Sequence, residues 1–143
     1  MQTQNLIIAL FQNTKTALQS IKDLKPKTDD KIFLDLLDAQ EKRYLDINDE
    51  IKSLAKKHDV DIQDNTWFEK ARLWTSIQFS TLKDNSTRHL AEMMLLGTVM
   101  GTLELYKNRV DYKEDEEDVL RVLDKLEQLE EDHFKELKKY LKG

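Results

Sequence analysis

Turn-forming residues are the scarcest component of this chain, and their scarcity restricts its fold more than any other feature. Of 143 residues, three are glycine and one is proline, whereas a typical chain draws roughly one residue in eight from these two types. Successive β-turns depend on such residues, so an all-β fold is excluded and an α/β fold is disfavoured. Hydrophobic residues at 39% are enough for a core, and charged residues at 36% suit long solvated helix faces. The expectation is one all-α domain over residues 1–143. A formal charge of −5 argues against binding to nucleic acid, which requires a basic face. No apolar run approaches the ~18 residues of a membrane span. The apolar stretch at residues 6–11 lacks the basic flank and the small-residue cleavage site of a signal peptide. Cytoplasmic residence is therefore expected. Without cysteine there are no disulfides, thiolate metal sites or thiol nucleophiles.

Apolar periodicity divides the chain into helices. In the first, Thr3, Ile7, Leu10, Thr14, Ala17, Ile21 and Leu24 alternate steps of four and three, and Lys25-Pro26-Lys27 ends the run. The second, over residues 29–57 with Thr28 or Asp29 as cap, repeats the rhythm through Phe33, Leu37, Gln40, Tyr44, Ile47, Ile51 and Leu54. Such heptad seams belong to helices packed at about +20° in a bundle. Residues 66–110 would form a helix of roughly 67 Å, too long for its partner. The short polar side chains of residues 83–87 offer a break. A shorter helix over 66–82 then opens on Thr66 and Glu69 in capping-box spacing and lies in a crossover, leaving helices two and three parallel. The alternative is a simple up-down bundle with 66–110 as one bent helix. Six acids among residues 111–118 read as a solvated start to the last helix, where the helix dipole favours negative charge.

Function is sought where polar residues occupy seam positions. The last helix reads Val119, Leu123, Leu126, Glu130, His133, Leu137 and Tyr140, which places two ionisable groups three residues apart on one face. A shifted register through Val119, Val122, Leu126 and Leu129 moves Glu130 to the flank but keeps His133 inside. In helix two, Tyr44 is on the seam and Glu41 beside it. In helix three, Leu90, Met94, Gly97, Gly101 and Glu104 fall in line. His89 and Glu92 read as a surface pair near a helix start, and nothing singles out His58. The chain has no Gly-x-Ser-x-Gly turn and too few glycines for a phosphate loop. Any self-association has its candidate contacts in Trp67, Trp74 and Phe79 of the crossover helix.

The stretch Glu130-Glu131-Asp132-His133 resembles the Glu-x-x-His motif in the last helix of the ferritin-like superfamily, as in bacterioferritins and rubrerythrins. The resemblance extends to the four-helix layout and to small bacterial proteins regarded as degenerate members. It implies a ferritin-like four-helix bundle with a short extra helix between helices two and three. In such proteins a Glu from each of two helices and a Glu-x-x-His from each of the other two hold a di-iron centre. Glu130 and His133 match the last-helix motif, Glu104 the single Glu of helix three, and Glu41 the Glu of helix two. Tyr44 stands where the second His belongs, and helix one has no acid before Asp23. What the resemblance leaves is one half-site, Glu41, Glu104, Glu130 and His133, suited to a single divalent ion such as Fe²⁺, Mn²⁺ or Zn²⁺. Ferroxidase chemistry is not expected from it. Two readings stand: a non-catalytic interaction or stress-related module with a relic site, and a protein that binds one metal ion.

Overall fold

A computed structural model describes residues 2–62 and 83–142, together with Glu69 and Leu73. Helices α1 (Gln2–Leu24), α2 (Lys31–Lys57), α3 (Thr87–Asp111) and α4 (Glu117–Lys138) account for most of them, with short 3-10 turns at Lys25–Lys27 and Lys139–Leu141. No strand occurs among the described residues. The expected crossover helix over residues 66–82, with Trp67, Trp74 and Phe79, lies outside them apart from Glu69 and Leu73, both of which are exposed.

Local chemistry sets the helix ends. Asp30 caps α2 by accepting from the backbone N–H groups of Ile32 and Phe33 at 3.0 and 3.1 Å, in place of the expected Thr28 or Asp29. Ser86 caps α3 by accepting from His89 N–H, and residues 83–86 are not helical. The helix therefore begins at the expected break, and one bent helix over 66–110 is ruled out. At the other end of α2, Val60 N–H donates to Ala55 O at 2.7 Å and Asp59 N–H to Lys56 O at 3.3 Å. This is a Schellman closure, and it holds Asp59 at φ 55°. The left-handed conformation that glycine adopts freely is costly for a residue with a Cβ. Asp59→Gly is therefore expected to stabilise the fold by about 0.5–1 kcal/mol, read as a higher urea midpoint with unchanged slope.

The four helices close around one core. Every expected seam residue of α2 is buried, as are those of α1 except the half-buried Ala17. Phe33 packs edge-on against Tyr140 with ring centroids 5.0 Å apart. Helix α4 buries residues of both candidate registers, Val122 and Leu129 as well as Leu123 and Glu130, so its inner face is broader than one seam. Helices α1 and α2 pack together, as do α3 and α4, α1 and α3, and α2 and α4. Lys57 and Glu50 of α2 pair with Asp118 and Lys125 of α4, which makes that pair antiparallel. Gln2 reaches Glu114 and Asn13 reaches Gly101, so α1 and α3 are antiparallel too. Thr87 Oγ1, at the start of α3, donates to Asp30 Oδ2, at the start of α2. Helices α2 and α3 consequently run parallel, as the crossover reading expects.

Helix α3 departs from its expected seam. Its buried residues are Leu90, Ala91, Met94, Leu95, Thr98 and Leu105, while Gly97 and Glu104 are exposed. The helix is apolar around most of its circumference, so periodicity alone does not select the inward face.

Candidate functional site

Halfway along the bundle the inner faces of α2 and α4 carry polar side chains at the same level. Tyr44 Oη donates to Glu130 Oε2 at 2.7 Å, with both residues buried. The Tyr44 ring meets the His133 imidazole edge-on, with centroids 4.9 Å apart. Helix α3 contributes an absence of bulk: a Cβ on Gly101 would lie 3.6 Å from Glu130 Oε1 and 2.9 Å from Asn13 Nδ2. Asn13 of α1 donates through that nitrogen to Gly101 O at 3.1 Å. All four helices thus supply one polar level within the bundle interior.

Burial dominates the electrostatics. Desolvation raises the Glu130 carboxyl to about 7, although the Tyr44 hydrogen bond pulls the other way. Desolvation, helped by the Arg43 cation, lowers His133 to about 4, while Asp132 opposes it weakly. At neutral pH the imidazole is therefore neutral. Among the described residues neither its Nδ1 nor its Nε2 has a hydrogen-bond partner, and the same holds for both side-chain polar atoms of Gln40. Orphaned buried polar atoms are uncommon in folded proteins; Asn13 Oδ1, Asp23 Oδ2 and Asn48 Oδ1 are others among the described residues.

The four residues of the expected half-site do not converge. Glu130 and His133 are in the core, but Glu104 points outward, its side chain 64% exposed and paired with Lys107 at 3.3 Å. The rotated face of α3 is the cause, because Leu105 takes the inward position. Glu41 lies beside the α2 seam, where Lys25 binds it at 3.2 Å and Asp38 at 2.7 Å. Each of these two carboxylates already has an ammonium partner within its own bundle.

A second group of metal-ligating types, which sequence reasoning passed over, sits at the end of the bundle. The ligand atoms of His58, Glu116 and Asp118 lie within 4.8 Å of one another. His58 Nε2 is 3.0 Å and Lys57 Nζ 2.7 Å from Asp118 Oδ2. These contacts, with the Lys57 hydrogen bond first, bring Asp118 down to about 2. The group clamps the C-terminus of α2 to the N-terminus of α4, and only the antiparallel pairing of those helices would have exposed it in the sequence.

Compared with known proteins, the chain matches no family model, no curated protein and no solved structure.

Proposed function

We propose that this chain is a non-catalytic ferritin-like module, an interaction or stress-related protein whose di-metal centre has decayed into a hydrogen-bonded core pair. The observation that carries this reading is the buried Tyr44–Glu130 hydrogen bond of 2.7 Å, formed where the resemblance implies metal ligands. Glu41 and Glu104 support it by being held on lysines. The parallel run of α2 and α3 accords with a ferritin-like crossover. Residence in the cytoplasm and no nucleic-acid partner are part of the same proposal; no described helix is long and apolar enough to cross a membrane.

The donor set does not fit a di-metal centre, and it falls short of the single-ion half-site by two carboxylates. A second reading, one divalent ion (Fe²⁺, Mn²⁺ or Zn²⁺) held by Glu130 and His133 alone, draws on the two unpartnered imidazole nitrogens. Thermal melts with each ion separate the readings. A ligand that binds only the folded chain adds RT ln(1 + [L]/Kd), about 2.7 kcal/mol at a hundredfold excess over Kd, or on the order of 8 °C in a domain this size. The relic reading predicts no such rise. A rise that His133→Ala abolishes, with about one ion per chain by elemental analysis, would establish the second reading instead.

A further inference from the structure

Helix α3 carries a second apolar seam on the side away from the core. Leu96, Val99, Leu103, Tyr106 and Val110 follow one another at steps of three, four, three and four, the heptad rhythm of a helix that packs against another helix. Met100 widens the stripe. The six are 64%, 50%, 57%, 59%, 49% and, for Met100, 54% exposed. Elsewhere among the described residues the large exposed apolar side chains are Ile32, Leu45 and Leu73, which form no such stripe. From Met93 to Leu103 the chain has no charged residue, in a protein that is 36% charged. A Cβ on Gly97, at the shoulder of the stripe, would meet nothing within 4 Å, so packing within the chain does not call for its missing side chain.

We infer that this face of α3 is an isologous interface with a second copy of the chain, the two α3 helices running antiparallel about a two-fold axis at Leu103. Six side chains about half open to solvent offer on the order of 600 Å² of apolar surface per copy. That is at the upper end of what a monomer exposes (~300–600 Å²), and two copies together reach the ~1,200 Å² where specific interfaces begin. The stripe is self-complementary, as a two-fold interface requires. Leu103 is midway between Leu96 and Val110, so the antiparallel arrangement sets each end of one stripe against the other end of its copy. It also separates the two Lys107 ammonium groups, which a parallel pairing would bring together; within its own chain Lys107 is neutralised by Glu104 at 3.3 Å. In the antiparallel pair the uncharged half of each stripe, Leu96 to Leu103, lies against the half of the other copy that carries Lys107.

The test is sedimentation equilibrium of the full chain at micromolar concentration, with Leu103→Glu as the variant. A dimer is expected for the parent, with Kd raised at least a hundredfold in Leu103→Glu and an unchanged helical circular dichroism spectrum. The chain has no cysteine, so Leu103→Cys offers an independent readout: oxidation should give a disulfide-linked dimer in high yield. A mixture of Leu96→Cys and Val110→Cys chains should cross-link to each other more readily than either does to itself. A parent that remains monomeric overturns the inference. So does a dimer that survives Leu103→Glu with its Kd intact, or one in which Leu103→Cys does not cross-link.

Discussion

Glu130→Gln is expected to make the protein more stable than its parent at pH 7.5 by about 3 kcal/mol, and to leave it equal to the parent near pH 4.5. Burial raises Glu130 from 4.5 to about 7, so the folded state binds a proton that the unfolded state has released throughout that interval. Stability falls as pH rises wherever the native state holds the extra proton, by about 1.4 kcal/mol per unit. His133 works in the opposite direction. Its value drops from 6.5 to about 4, so the unfolded chain holds the extra proton between these limits and stability rises with pH. From pH 4.5 to 6.5 the two slopes nearly cancel in the parent. Replacing the carboxyl by an amide of the same shape, which still accepts from Tyr44, removes one slope and exposes the other. Urea titrations of both chains from pH 4 to 8 provide the check. The difference between them isolates Glu130, because every other titrating group is common to both. A difference that stays constant with pH would mean that Glu130 does not titrate in the core.

Tyr44→Phe is expected to cost about 2–3 kcal/mol at pH 8 and about 1 kcal/mol at pH 5. Above its pKa Glu130 is a carboxylate, and the phenol at 2.7 Å is its hydrogen-bond donor. Hydrogen bonds to charged groups contribute ~1.5–3 kcal/mol, and a buried acceptor stripped of its donor also loses the water it had in the unfolded chain. Below pH 6 the neutral carboxyl requires less, so the loss shrinks. The same substitution should push Glu130 further upward, since the Tyr44 bond is what lowers it. In a Glu130→Gln background the cost should fall to ~1 kcal/mol at both pH values, leaving a coupling energy of 1–2 kcal/mol at pH 8. A cost that ignores both pH and the Glu130 background would reduce Tyr44 to a packing residue. Together the two variants ask whether the polar level is a relic pair stabilised by one hydrogen bond, without requiring any knowledge of the biological role.

The sequence by itself determined the helical class, three of the four inward faces and the two most informative core residues. Helices α1, α2 and α4 concentrate their apolar residues on one side, so the period of 3.6 residues identifies the side that must leave water. Glu130 and His133 stood out because they interrupt such a face three residues apart, and Tyr44 because it occupies a seam position. The tertiary structure decided what lies opposite each of them. A helical sequence states which face is buried, but not which residue of a neighbouring helix arrives at the same height. The Tyr44–Glu130 bond and the meeting of His58 with Asp118 both follow from the antiparallel register of α2 and α4. The loss of Glu41 to Lys25 depends on where the turn after α1 delivers its lysine. Helix α3 shows the limit most directly: its apolar residues fill two opposite faces, so periodicity allowed Glu104 an inward place that only packing against α1 and α4 took away.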